Sequence, residues 1–300
     1  MFWSSARYTF PLPEGHRFPI AKYELLRERV IAAGLGEVRE PDRIDRESLL
    51  RVHTSRYVDD FTAGTLALDE LRRLGFPWSP ELVERSYRAT GGTLAAARHA
   101  LDAGIAMNLA GGTHHAFPDR GEGFCVFNDV AVAIRALQAE GRIERAAIID
   151  LDVHQGNGTN AIFAGDDSVF TFSMHGRRNY PFIKVPGSLD VELEDGCTDE
   201  EYLSLLVDEL PGALAEARPD LVVYLAGADA HEDDRLGRLK LTAAGIARRD
   251  VIVLEAAREV GIPVAVTIAG GYGRNIDTTV AIHLETARLC AHLRSPTLPR

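Results

Sequence analysis

Cysteine is scarce in this sequence: Cys125, Cys197 and Cys290 are its three cysteines, and no two of them form a Cys-x-x-Cys pair. Neither a disulfide framework nor a thiolate zinc site is therefore indicated. No apolar run approaches the roughly 20 residues that a membrane-spanning helix needs. The first residues lack the charged start and the long apolar segment of a signal peptide. These absences predict a cytoplasmic protein that does not associate with membranes.

An excess of basic residues is absent as well. The chain has 33 lysines and arginines against 44 acidic residues, a formal net charge of -11, and the two signs are well mixed. This balance argues against nonspecific binding of nucleic acid, and it favours a cationic substrate such as a lysine tail or a polyamine. Repeats, low-complexity segments and linkers are missing too. We therefore expect one domain over residues 1–300, and 46% hydrophobic residues suffice for a sizeable core.

Short apolar runs alternate along the chain with helical stretches. Helices are expected over residues 20–33, 55–61, 81–103, 128–140, 199–217, 242–260 and 275–293. Strands are expected over residues 105–109, 146–149, 169–172, 221–225 and 264–268, after an irregular arm over residues 10–19. This alternation predicts an α/β fold with a mostly parallel sheet and helices on both faces. Ligands of such folds bind beyond the carboxyl ends of the strands.

The stretch over residues 146–158 carries chemistry at the end of a predicted strand. Asp150, Asp152 and His154 follow one another at intervals of two, and alternate side chains of an extended chain point the same way. Two carboxylates and an imidazole are metal ligands by type. Alone, this pattern also fits polar residues that decorate a loop. The other predicted strands, however, also end in glycine turns, titratable groups or both, and several such ends together predict a site.

Asp229 follows another predicted strand and joins Asp152 and His154 in a three-ligand metal site with an open position for water. Two carboxylates cancel the charge of a divalent ion, so the metal acidifies its water less and we expect an added general base. His114 and His115, after two glycines, are the candidates. A single histidine here is more often a satisfied core residue, but the doublet beside a metal motif favours catalysis.

Tyr272 lies between glycines, where the backbone can bend to aim its hydroxyl at a developing oxyanion. The other interpretation of this tyrosine is a packed aromatic at a strand end. Together with the metal ligands and the histidine doublet, it predicts metal-assisted hydrolysis of an amide.

Eight segments in this order carry a resemblance over nearly the whole chain: residues 15–19, 51–54 with Tyr57, 111–116, 123–125 with Asn128 and Asp129, 150–158, 226–229, 234–237 and 270–272. In them the sequence resembles the histone deacetylase family of the arginase/deacetylase superfamily, and the resemblance implies that fold. The combination of Gln155 and Asn157 with the Asp234 segment is similar to class IV enzymes and their bacterial relatives.

The resemblance implies zinc on the three ligands named above, and this donor set also tolerates Fe2+ or Co2+. It implies that His115 is the proton-shuttling base and acid, that His114 is its electrostatic partner, and that Tyr272 binds the scissile carbonyl. Spacing alone would put Asp150 on the metal. The resemblance instead places Asp150 in a hydrogen bond to the first histidine and, with Ser173, at a monovalent-cation site that suits K+.

Gly123 and Phe124 match the substrate tunnel of the family, and Phe124 matches an aromatic wall around the acyl-lysine stem. Two departures stand out. Asn157 replaces an Asp that many class I enzymes have behind the second histidine, and a neutral amide there makes His115 less basic. Residues 75–78 match the rim position at which class I enzymes have an acidic residue that binds the substrate backbone, and none of the four is acidic.

The reaction expected is therefore deacylation of lysine side chains in proteins or peptides. Acetylpolyamine hydrolysis needs the same catalytic residues but a different cavity entrance, and an acidic rim at that entrance would favour this substrate. A binuclear, arginase-like site is disfavoured, because no Asp stands two places after Asp229. A catalytically silent acyl-lysine binding module remains the alternative of a different class, although a binder needs neither a base nor an oxyanion donor. Acyl chain length, protein substrate and oligomeric state are not determined by the sequence.

Overall fold

The computed structural model describes residues 1–293, which are built around one sheet of eight parallel strands. The strands in chain order are β1 Phe2–Trp3, β2 Val38–Arg39, β3 Ile105–Asn108, β4 Ala146–Asp150, β5 Val169–Gly176, β6 Leu189–Leu193, β7 Leu221–Leu225 and β8 Val264–Thr267. They lie in the order β2-β1-β3-β8-β7-β4-β5-β6. The predicted α/β fold with a parallel sheet is confirmed.

Helices cover both faces of this sheet. They are α1 Ala21–Ala32, α2 Arg46–Leu50, α3 Ser55–Ala63, α4 Leu68–Leu74, α5 Pro80–Ala103, α6 Asp129–Ala139, α7 Asn157–Ile162, α8 Asp199–Ala217, α9 Ala243–Glu259 and α10 Ile276–His292. In β4, Ala147 and Ile149 join one buried cluster, with side chains of α1, α8, α9 and α10. Ala146 and Ile148 join the other, with α2, α3, α5 and α6. A strand buried on both faces explains its unbroken apolar sequence.

The long helices and the five central strands lie where the sequence predicts them, within a few residues. The strand β6, Leu189–Leu193, was missed because the expected strands were all apolar runs, whereas this partly buried edge strand alternates apolar and polar residues. The two-residue strands β1 and β2 and the short helices α2, α4 and α7 were missed for lack of length. Thr54, whose hydroxyl accepts from the amide of Tyr57, caps α3. Gly156 is the N-cap residue of α7, which begins at Asn157.

His53 is a buried histidine that fixes two loops near the sheet's carboxyl edge. Its Nε2 accepts from the backbone N–H of Asn128 at 3.0 Å, so its Nδ1 donates to the carbonyl of Phe117 at 3.0 Å. Burial lowers its pKa to about 4. The neutral ring therefore holds the start of α6 against the loop that follows the histidine doublet.

The carboxyl ends of β3, β8, β7, β4 and β5 lie side by side in the middle of the sheet. Most of the predicted site residues follow one of these strands, Asp150 is the last residue of β4, and Ser173 lies within β5. The topology therefore brings these groups to one edge, as expected for a parallel sheet. Among residues 1–293 no helix combines the length and apolarity that crossing a bilayer requires.

Candidate active site

Asp152, His154 and Asp229 form a compact group at this edge. All three are buried, and one donor atom from each lies within 4.8 Å of the other two. The Nδ1 atom of His154 lies 2.9 Å from Asp152 Oδ1 and 3.2 Å from Asp229 Oδ2. The side chains of Asp152 and His154 leave the bend after β4, and Asp229 follows β7.

The donor set fits a divalent cation. Asp229 Oδ2 is buried and has no hydrogen-bond partner within the described residues. Burial, followed by repulsion from Asp152, raises the pKa of Asp229 to about 7. Two buried carboxylates that repel each other across an imidazole nitrogen need a positive charge between them. These residues could therefore hold a metal ion of the zinc type, with one imidazole and two carboxylates as ligands.

Close backbone approach shapes this group. The N–H of Gly270 donates to Asp152 Oδ2 at 2.7 Å. A Cβ atom at Gly270 would lie 1.8 Å from Asp229 Oδ2, so no other residue fits without displacing a ligand. The N–H of Val153 donates to Asp229 Oδ1 at 3.0 Å and fixes the other carboxylate.

Asp150 lies outside the ligand group, so the interpretation from spacing alone was wrong. The strand β4 ends at Asp150, and the chain then bends, so the two-residue period does not carry through to Asp152 and His154. Asp150 Oδ2 instead accepts from His114 Nδ1 at 2.7 Å. Ser173 stands beside Asp150 in the register of β4 and β5, and its hydroxyl bonds His175 Nδ1 at 2.9 Å.

The two histidines of the doublet have different partners and different electrostatics. Burial opposes charge on His114, but the carboxylates of Asp150 and Asp152 raise its pKa to about 9. His115 Nδ1 pairs with the amide oxygen of Asn157 at 2.7 Å. Burial, followed by the imidazoles of His114 and His154, lowers the pKa of His115 well below its usual value. Adjacent imidazoles with pKa values pushed apart are suited to different tasks.

Glu122 is a partly buried hub of hydrogen bonds that the sequence reasoning missed. Its Oε1 accepts from the amide nitrogen of Asn157 at 3.2 Å and from the hydroxyl of Tyr180. Its Oε2 accepts from Arg120 Nε at 3.2 Å. Because Glu122 takes the N–H of the amide, the oxygen of Asn157 is turned toward His115 and fixes the proton on Nδ1. The only available signal was that Glu122 directly precedes the Gly123-Phe124 motif.

Tyr272, Phe124 and Gly123 line the same cavity, which has a volume of about 450 Å³. The ring of Phe124 lies 6.0 Å from that of Tyr272, and Phe18 and Phe76 extend this aromatic wall. Phe124 adopts a left-handed backbone conformation, with φ of 67°, which tight packing must sustain. Gly123 permits close approach, because a Cβ there would lie 2.8 Å from the ring of His115.

Lys22 lies behind Tyr272 and was also missed. Its ammonium group donates to the carbonyls of Ala269 and Gly271 at 3.3 and 3.4 Å, and it lies 5.5 Å from the ring centre of Tyr272. Burial lowers the pKa of Lys22 to about 8. A lysine in the first turn of a helix gives no sign in the sequence that it points inward.

A model of the histone deacetylase domain matches residues 16–287. Histone deacetylase 2 of Arabidopsis thaliana is 34% identical over 283 residues, which cover 90% of this chain and 73% of that protein. A histone deacetylase-like amidohydrolase of Pseudomonas aeruginosa is 32% identical, with 87% and 74% covered. The crystal structure of an HDAC homolog from Aquifex aeolicus superimposes with a TM-score of 0.85 at 25% identity, with 98% and 84% covered. An HDAC homolog complexed with SAHA matches equally well.

Proposed function

The chain belongs to the histone deacetylase family, and from this membership we propose that it is a metal-dependent amide hydrolase that removes acyl groups from lysine side chains. One arrangement carries the proposal: a three-ligand group, a histidine doublet with unequal partners and a tyrosine share one aromatic-lined cavity. A silent binding module needs the walls of such a cavity but neither a base nor an oxyanion donor.

We place a divalent metal on Asp152, His154 and Asp229, with Zn2+ as the first candidate and Fe2+ or Co2+ as alternatives. When bound, such an ion polarises a carbonyl group and acidifies a water molecule. The two carboxylates offset most of its charge, so the protein supplies a base of its own. The pairing of Asp150 and Ser173 remains our candidate site for K+.

His115 is the proposed base. Its Nδ1 is occupied by Asn157, so its Nε2 is free to take a proton from the attacking water. Burial keeps this ring neutral and therefore able to accept. It then returns the proton to the departing lysine nitrogen. His114, held as a cation by Asp150, stabilises the negative charge that develops beside it, and the hydroxyl of Tyr272 donates to the carbonyl oxygen.

Two rival activities fit the site less well. Acetylpolyamines are cations, and an acidic mouth would favour them, yet Asp152 and Asp229 at the buried ligand group are the carboxylates that line the cavity within the described chain. A binuclear site needs further ligands, and residues 1–293 contain one group of close metal-ligating side chains, the triad itself. His231 is engaged elsewhere, because its Nδ1 accepts from the backbone N–H of Asp233 at 3.1 Å.

The test is hydrolysis by the zinc-loaded protein across acyl-lysine peptides from acetyl to long fatty chains, with acetylated polyamines in the same panel. We expect cleavage of acyl-lysine peptides with an optimum at one chain length, and loss of cleavage in His115→Ala with metal content unchanged. Cleavage confined to polyamines would move the function to small-molecule metabolism. Silence across the panel, with metal bound, would overturn the hydrolase proposal in favour of a binding module. Repeating the panel with Fe2+ and Co2+ identifies the working metal, and a cytoplasmic location stays a prediction.

A further inference from the structure

Four exposed arginines ring the mouth of the cavity, and we call them the arginine rim: Arg17, Arg73, Arg178 and Arg238. They come from four separate segments, namely the irregular arm, α4, the turn after β5 and the loop after β7. Within the described chain, no exposed carboxylate lines the same cavity. A protein with a net charge of -11 thus has a mouth of the opposite sign.

The rim carries more charge than its partners neutralise. Arg178 and Arg238 share one carboxylate, Asp195, at 3.8 and 3.1 Å. Arg73 meets Asp69 at 3.6 Å, and both side chains are exposed. Arg17 makes no ion pair in the part of the chain that the structure describes. Two carboxylates for four guanidinium groups leave an excess of two positive charges.

These ion pairs are easily exchanged. Exposed pairs are weak because water and salt screen them and because holding two long side chains costs entropy. A carboxylate on a substrate can therefore replace Asp195 or Asp69 with little loss. Guanidinium groups also bind carboxylates through two parallel hydrogen bonds, which gives geometric selectivity as well as attraction.

We propose that the arginine rim selects acyl-lysines flanked by aspartate or glutamate, and that it disfavours lysine- and arginine-rich segments such as basic protein tails. This inference rests on the proposed deacylase function, in which the acyl-lysine stem fills the cavity and its sequence neighbours stay at the mouth. The selectivity is a difference between attraction to acidic flanks and repulsion of basic ones. A family name that mentions histones therefore does not describe the preferred substrate of this chain.

Matched fluorescent peptides test this inference. Each carries one acyl-lysine with Glu, Gln or Lys at the two positions on either side. At low salt we expect kcat/KM and affinity to be about tenfold higher for Glu than for Gln flanks, and about tenfold lower again for Lys flanks, from two weak exposed pairs acting together. At 1 M salt the Debye length is about 3 Å, and the preference should shrink to a few-fold.

Charge-reversal variants test whether the arginine rim causes the preference for acidic flanks. Arg17→Glu with Arg73→Glu should remove or invert the preference, measured as the ratio of kcat/KM for Glu-flanked peptides to that for Lys-flanked peptides. The control is Arg72→Glu with Arg258→Glu, which changes the net charge equally at exposed positions outside the cavity lining. Equal treatment of Glu- and Lys-flanked peptides by the wild type, or the same inversion in the control, would overturn the proposal.

Affinity measured by fluorescence anisotropy separates this proposal from the deacylase function on which it rests. Suppose that no peptide is cleaved, but that Glu-flanked peptides bind best and lose that advantage in Arg17→Glu/Arg73→Glu. The rim proposal then holds and the hydrolase proposal fails. If all peptides are cleaved whatever their flanks, the hydrolase stands and the rim proposal fails.

Discussion

Asn157→Asp tests the hydrogen-bonded chain behind the proposed base. A carboxylate in place of the amide would by itself strengthen His115, because an adjacent negative charge stabilises the protonated imidazole. The structure adds a complication. The amide nitrogen of Asn157 lies 3.2 Å from Glu122 Oε1, so the substitution sets a buried carboxylate against the partly buried one of Glu122.

The repulsion is large. Two unit charges 3.2 Å apart interact by about 5 kcal/mol at an effective dielectric constant of about 20, which corresponds to roughly 3 to 4 pKa units. Glu122 keeps its hydrogen bonds from Arg120 and Tyr180, so the shared proton stays on the new carboxyl at position 157 near neutral pH, and His115 gains little. Adding Glu122→Gln removes the competing charge and supplies an amide N–H to the new carboxylate. The pKa of His115 should then rise by about 1 unit or more.

The assay is the pH dependence of kcat/KM for the zinc-loaded protein. The base works only when unprotonated, so a higher pKa moves the acidic limb of the profile to higher pH. We expect this shift in Asn157→Asp/Glu122→Gln, a much smaller one in Asn157→Asp, and almost none in Glu122→Gln, whose carbonyl still accepts from Asn157. An Asn157→Asp limb that moves as far as that of the double variant would refute the role of Glu122, and four superimposable profiles would show that His115 is not the base.

Three further outcomes follow from the described contacts. Gly270→Ala crowds Asp229 and should weaken zinc binding at least about tenfold in a competition titration, whereas Gly212→Ala, in open space on α8, should leave it unchanged. Tyr272→Phe should lower kcat about 100- to 1,000-fold with zinc content unaltered, and an unaltered kcat would remove the tyrosine from the reaction. The pKa of His53 is about 4 in the folded protein and 6.5 in the unfolded one. Its contribution to the free energy of unfolding is therefore complete above pH 6.5 and falls by about 3 kcal/mol as the pH drops to 4. In urea titrations the free energy of unfolding of His53→Gln should fall correspondingly less over that interval, and a fall equal to that of the wild type would contradict the assignment.

The sequence was sufficient for the elements that bury apolar residues in long or unbroken runs. The strands β4 and β7 and the helix α8 are examples, because their periodicity is set by the layers that cover them. The family resemblance indicated which of the polar residues at the strand ends share a role in the site. Short elements escaped because a two-residue strand such as β1 forms only when its neighbours in the sheet are already in place.

What the sequence could not provide are pairings between distant residues. Glu122 and Asn157 are 35 positions apart, and nothing in either neighbourhood shows that one orients the other. The division of labour within the doublet has the same origin. His114 and His115 are chemically identical neighbours, yet one meets a carboxylate 36 residues away and the other an amide 42 residues away. Their opposite pKa shifts, and hence the roles we propose, therefore depend on tertiary structure rather than on the motif itself.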